Sequence, residues 1–199
     1  ERAVNGAMQD VLKTDEDYVV AIDTDSVYIR MGDLVEKFAP NNPVKFLDKI
    51  CADHFEKVLA ESYATMAKVT GAYENRMEMG REVIADRAIW CAKKRYILNV
   101  HNNEGVQYAE PKLKVMGIEA VKSSTPMVVR DKMKEMFHIL VKGTEDEVQK
   151  FIRTFRNDFN QLPPEDISFP RGVSNVTKWS DRKTIYKKGT PIHVRGALL

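Results

Sequence analysis

The sequence predicts an α+β fold, an antiparallel sheet with packed helices followed from about residue 120 by a mainly helical segment. Two observations carry that expectation. Apolar residues recur with extended, β-favouring spacing in VVAIDTDSVYI (19–29) and in the stretch from Arg81 to Met116. They recur at helical spacing in four other places, and after Pro126 the period changes to the helical one.

Taken in order, Ala3, Ala7, Met8, Val11 and Leu12 predict a first helix over about 1–13, and KTDED reads as a charged turn. Val19–Ile22 and Val27–Ile29 predict a hairpin with Asp23 and Asp25 at its tip. MGDLVEKF reads as a short helical turn closed by APNNP. Val44, Leu47, Ile50, Cys51, Phe55, Val58, Leu59 and Tyr63 then predict a long helix from Pro43 to about Lys68, with core packing as its role. REVIADRAIWC and RYILNV are expected as strands flanking AKK, and VQYAEPKLKVMG continues the sheet beyond the turn HNNEG. A helix is expected over 126–142, capped by Ser124 or Thr125 with Pro126 at its first position. Thr144 and Glu147 spell a capping box for another helix to about Gln161. QLPPEDISFPRG reads as a loop, the basic tail as irregular, and IHVRG as a terminal strand. Internal repeats are absent.

Composition narrows the function classes. With 43% hydrophobic and 30% charged residues in a chain of 199, the sequence can fill a core and is not disordered. It has no run of 18 apolar residues, so no membrane partner is expected, and ERAVNGAMQD carries no signal-peptide core. The missing initiator Met and the RGALL end suggest a piece of a longer chain. Cys51 and Cys91, forty residues apart among apolar neighbours, are expected as reduced core thiols. Four scattered histidines argue against zinc. The net charge of +2 is unevenly spread. The first fifty residues lean acidic, whereas Arg171–Arg195 holds seven Lys or Arg against Asp181 alone. An acidic site followed by basic tracts fits a polyanion handled at a metal centre.

Asp23 and Asp25 are the candidate catalytic pair. Carboxylates adjoining an apolar strand are costly unless something pairs with them. Hard oxygen ligands suit Mg2+ that is also held by phosphate oxygens. The same string fits a haloacid dehalogenase-type phosphatase, with Asp23 as nucleophile and Asp25 as general acid, and a third reading is an exposed Asp-rich turn. Glu82 is a candidate auxiliary carboxylate, and Asp86 lies near it in sequence. Lys93, Lys94, Arg95 and Tyr96 form a basic segment suited to phosphates or groove acceptors of a duplex. Lys112, Lys114 and Lys122 add cations, Ser123 and Ser124 add hydroxyls, and the amide end of the following helix is a phosphate site in principle. Trp90 is expected in the core. Trp179 either packs a loop or stacks near a nucleic acid.

The order DTDSVY, KKRY, YAEPKLKVMGIEAVKSSTP and PIHVRG closely resembles family B DNA polymerases of T4-like bacteriophages, over nearly the whole chain. The resemblance implies a partial polymerase palm over 1–92 and a thumb over 93–199 that begins with the basic DNA-gripping segment. It implies Asp25 as the principal metal ligand, with Asp23 beside it and Glu82 near the active centre. It further implies two Mg2+ ions, primer-template DNA and a deoxynucleoside triphosphate as ligands, and a sliding clamp as a partner. The location implied is the cytoplasm of an infected bacterial host. The family's Asp-x-x-Ser-Leu-Tyr-Pro-like and Asn-x-x-Tyr-Gly-like strings and its exonuclease motifs do not occur, and Ile22 stands where Gly usually precedes the first Asp. The chain is therefore expected to need a complementary polypeptide carrying the missing palm, fingers and exonuclease parts. The alternative is a non-catalytic DNA-binding or processivity module of a split polymerase.

Overall fold

The computed structural model describes residues 1–174, 176–179 and 190–198. The chain divides into two compact units, Glu1–Met116 and Gly117–Leu199. The division expected at 92/93 falls within the tight turn between two paired strands, where antiparallel hydrogen bonds bind both sides into one sheet.

The first unit opens with helix α1 (Arg2–Leu12). Its Val4, Ala7 and Met8 are buried together with Tyr18, Leu34, Cys51 and Phe55, so one amphipathic face builds the first core. Hairpin β1 (Val19–Asp23) and β2 (Ser26–Ile29) is antiparallel, with Asp23 opposite Ser26. Its base is tied to α1, because the Tyr18 amide donates to Asn5 Oδ1 at 2.8 Å and the Tyr18 carbonyl accepts from the Arg30 amide at 2.8 Å. Helix α2 spans Gly32–Phe38.

The long helix expected from Pro43 is present but not regular. It runs as α3 (Pro43–Ile50), a π turn (Cys51–Phe55) and α4 (Glu56–Thr70). Asn42 caps its start by accepting from the Lys45 amide, Pro43 takes the first turn, and Gly71 ends it at φ 67°. A three-stranded antiparallel sheet follows, in the order β3 (Val83–Ala92), β4 (Arg95–Asn103), β5 (Val106–Met116). Pro111, which has no amide to donate, is accommodated because β5 is an edge strand. Tyr96, Leu98 and Val100 of the central strand form the second core, packed against Tyr28, Val83, Ala85 and Tyr108. The hairpin is thereby seated on the sheet through Tyr28.

Two single-residue expectations change here. Cys51 is buried as expected, but Cys91 is exposed, since it lies at the end of β3, where Trp90, Cys91 and Ala92 are all exposed. Trp90 is not a core residue, being 36% exposed at the rim of an aromatic cluster.

The second unit begins with a 3-10 turn at Glu119–Val121 and continues as α5 (Met127–Lys142) and α6 (Glu145–Phe159). The Thr144–Glu147 capping box is complete: Thr144 Oγ1 accepts from the Glu147 amide while the Glu147 carboxylate accepts from the Thr144 amide. The cap expected for α5 differs. Pro126 itself occupies the cap position, and neither Ser124 nor Thr125 bonds the helix with its side chain. Phe151, Phe155 and Phe159 stack along one side of α6 at i, i+4 spacing, with ring centroids 6.5 and 5.7 Å apart. A short α7 (Pro164–Ile167) and a 3-10 turn (Val176–Trp179) follow, where the Lys178 ammonium lies 5.0 Å from the centre of the Trp179 ring. The expected terminal strand is instead helix α8 (Ile192–Leu198). Thr190 and Pro191 form a helix-start signal that overrides the β-branched Ile192 and Val194. Of the basic tail, Asn175 and 180–189 lie outside the described residues. No described helix is long and apolar enough to cross a membrane.

Candidate functional site

Asp23 and Asp25 occupy the tip of a hairpin whose turn is Thr24–Asp25. Thr24 has φ 52°, a left-handed value unusual for a β-branched residue. Two side chains brace the turn: Thr24 Oγ1 donates to Asp23 Oδ1 at 3.2 Å, and Ser26 Oγ donates to the Asp23 carbonyl at 3.1 Å. The β3–β4 hairpin has its own tight tip, Lys93–Lys94, with Lys94 at φ 60°. The two tips meet, as Lys94 Nζ lies 3.5 Å from Asp23 Oδ1.

Behind the tips, aromatic rings join the hairpin to the sheet. Tyr28 Oη donates to Tyr96 Oη at 3.0 Å. The Tyr28 ring stands edge-on to Trp90 and Tyr96, with centroids 5.3 and 5.5 Å away. Burial, then the Tyr28 hydroxyl, then the negative charges of Glu82 and Asp23 push the Tyr96 hydroxyl far above the usual phenol range. Tyr96 is thus held as a neutral hydroxyl.

A cavity of about 250 Å3 opens beside this cluster. Asp25, Tyr28, Glu82, Tyr96 and Lys114 line it together with the π-turn residues Cys51 and Phe55. Glu82 lies one residue before β3 and forms an ion pair with Lys114 of β5. Asp86 plays no part at the cavity. Burial works against its charge, but hydrogen bonds from Asn99 Nδ2 (2.8 Å) and the His101 ring hold its carboxyl below the ordinary range. Alternation along β4 directs Asn99 and His101 to the face opposite Tyr96 and Leu98.

The expected site residues separate into groups. Asp23, Asp25, Glu82, Lys94, Tyr96 and Lys114 converge on the tips and cavity. Lys93 and Arg95 flank Lys94 at the basic tip, and both are exposed. Lys112, two residues from Lys114 on β5, packs its ammonium 4.3 Å from the centre of the Tyr108 ring. Lys122 and the exposed Ser123 and Ser124 belong to the second unit, where Lys122 pairs with Glu119 at 3.0 Å. Among the described residues no group of three or more His, Cys, Asp or Glu is arranged to hold a metal ion. Lys94 counters Asp23 and Lys114 counters Glu82, so the described residues offer only part of a donor set for Mg2+.

Several contributors at the cavity were not legible in the sequence. Arg81 stood out only as one more cation, and the 43–70 helix as packing alone. In the structure Cys51, Phe55, Glu56 and Arg81 all line the cavity. Periodicity marks which face of a helix is apolar, but it does not mark which polar residue at the edge of that face reaches across to a loop.

No family model matches the chain. It is 31% identical over 99% of its length to a DNA-directed DNA polymerase of Enterobacteria phage T4. It is 33% identical over its full length to a DNA-directed DNA polymerase of Escherichia phage RB69. The chain spans about a quarter (24%) of the length of each of these relatives.

Proposed function

Because this chain belongs to the family B DNA polymerases of T4-like bacteriophages, we propose that it supplies part of the nucleotidyl-transfer site and of the duplex grip of a DNA-directed DNA polymerase. The observation that carries this is the meeting of the acidic tip with the basic tip, 3.5 Å apart, within a chain similar to polymerases from end to end. In this reading Asp25 is the principal catalytic carboxylate and Asp23 its neighbour, with Glu82 accessory. At least one further carboxylate comes from outside the chain, since the described residues assemble no three-ligand group. Asp25 and Asp23 would hold Mg2+ only together with that outside carboxylate, and the metal would then supply charge neutralisation for the phosphates.

The chain's own residues hold and orient. Lys93, Lys94 and Arg95 extend from a two-residue turn, a rigid base from which to meet phosphates of primer-template DNA. Lys112 and Lys114 add cations on β5, and Lys122, Ser123 and Ser124 add contacts from the second unit. The Tyr28–Tyr96–Trp90 cluster fixes the acidic hairpin against the sheet. We assign the palm portion to 1–116 rather than 1–92, because Lys93–Met116 shares a sheet with Val83–Ala92, and the thumb portion to 117–199. The substrate is a deoxynucleoside triphosphate, the partner is a polypeptide with the remaining palm, fingers and exonuclease, and a sliding clamp is a further partner. The setting is the cytoplasm of an infected bacterial cell. The phosphatase reading and the non-catalytic module are not favoured, since the whole-chain similarity is to polymerases.

The test is primer extension by this chain mixed with a polypeptide carrying the missing parts. A stable stoichiometric complex is expected to extend a primer, and the Asp25→Asn complex is expected to lose about a hundredfold or more in rate while still binding duplex. A stable complex with no extension, or an Asp25→Asn complex within a few-fold of the parent, overturns the reading.

A further inference from the structure

We propose that Arg81 is a positioning residue, clamping the backbone beside Glu82 and so aiming a carboxylate that lines the cavity just before β3. Its importance for catalysis rests on the polymerase reading above, but the clamp itself does not. Glu82 lies just outside β3, so strand pairing of β3 does not by itself fix it. Its carbonyl instead accepts from the Glu104 amide at 2.6 Å and from Arg81 Nη1 at 3.2 Å. The amide one peptide earlier, that of Arg81, donates to Glu56 Oε1 at 2.8 Å.

The Arg81 guanidinium makes the remaining connections. Nη2 pairs with the Asp48 carboxylate of α3, and Nη1 donates to Asn102 Oδ1 of β4 at 2.7 Å. That oxygen also accepts the Gly105 amide at 3.1 Å. The Arg81 side chain is 11% exposed, and Asn102 is 2% exposed. Helix, sheet and the β4–β5 turn are therefore joined through one planar fork. Lysine lacks that geometry, because a single ammonium on a flexible stem does not hold two acceptors in fixed directions.

The π turn explains why two helix residues reach the same arginine. Asp48 and Glu56 are eight residues apart, which in a regular α-helix rotates them by about 80° relative to each other. A π turn takes up about one extra residue. The pair then behaves as if seven apart, within about 20° of one line along the helix. The irregular turn at Cys51–Phe55 thus puts one acceptor on the Arg81 side chain and another on its amide.

The experiment uses the full chain and reads the Glu82–Lys114 ion pair by the acetylation rate of Lys114, measured by mass spectrometry. Glu82→Gln is expected to raise that rate about two- to fivefold, as loss of a partly exposed ion pair implies. Arg81→Lys and Asp48→Asn are expected to raise it by a comparable factor with Glu82 still in place, while Lys132 of the second unit keeps its rate. Asp48→Asn preserves side-chain shape at a half-exposed position, so it answers the question even where Arg81→Lys folds poorly. Thermal melts run alongside identify any variant that has merely unfolded. A parent-like Lys114 rate in folded Asp48→Asn, or no response to Glu82→Gln, overturns the clamp. The readout requires neither DNA nor turnover. A chain that shows the Lys114 response but no extension in the assembled enzyme refutes the functional reading alone, and the reverse refutes the clamp alone.

Discussion

Thr24 and Lys94 both hold positive φ at the ends of hairpins, and each turn brings one charge of an ion pair into place. A left-handed backbone at a non-glycine residue is unfavourable, by about 1–2 kcal/mol in regular structure, and persists where the surroundings over-determine it. Here the surroundings are visible: the Thr24 and Ser26 hydroxyls bond Asp23, and the Tyr28–Tyr96 contact holds the hairpin against the sheet. The carboxylates were legible because Asp in an apolar strand is conspicuous. The pairing of Asp23 with Lys94 was not, because a contact across about seventy positions leaves no local pattern. The two thiols give a residue-scale prediction. Burial, partly offset by the Arg81 charge, pushes the Cys51 thiol up to about 11, whereas Cys91 is exposed. Since the thiolate is the reactive form, Cys51 stays protonated throughout the neutral range. A chromogenic disulfide reagent at pH 8 is expected to titrate one fast and one slow thiol, with Cys91→Ser removing the fast phase. Two equally fast thiols in the folded chain would contradict the buried position of Cys51.

At the scale of elements, helices were readable where capping chemistry was explicit and misread where it was not. The Thr144–Glu147 box was found from four letters, because both hydrogen bonds of that motif are local. The α5 start went to Pro126, whose fixed φ supplies the entry geometry that a Ser124 or Thr125 side chain was expected to provide. At 192–198, the Thr-Pro start prevailed over β-branched propensity, which depends strongly on context. The junction of α5 and α6 can be tested directly. A Cβ added at Gly143 would lie 2.7 Å from Glu147 Oε2 and 2.9 Å from the Ile139 carbonyl oxygen. Gly143→Ala is therefore expected to push the capping carboxylate aside and destabilise the second unit by about 1–3 kcal/mol. Thr144→Ala is expected to cost about 1 kcal/mol. Urea unfolding followed by far-UV circular dichroism measures both, and an unshifted midpoint in Gly143→Ala would refute the close approach.

On the scale of the whole molecule, the two units carry different parts of the proposed work, with the acidic tip, the cavity and the basic tip all in the first. Duplex binding that relies on Lys93, Lys94, Arg95 and their neighbours should be electrostatic in character. Affinity of the full chain for a primer-template is expected to fall linearly on a log–log plot against salt, and Lys93→Ala is expected to flatten the slope by about one. Fluorescence anisotropy across a salt series provides the check, and a slope unchanged by Lys93→Ala would remove that residue from the grip. The amino-acid sequence alone determined the period of the longer helices and strands, the acidic hairpin, the basic turn and the resemblance to phage DNA polymerases, because these depend on neighbours within a few positions or on motifs in fixed order. Only the tertiary structure decided that Asp23 meets Lys94, that Glu82 meets Lys114, and that Arg81 ties a π-turned helix to the sheet. Those contacts arise when chain closure brings distant residues within a few ångströms, and no local spacing records which side chains will meet.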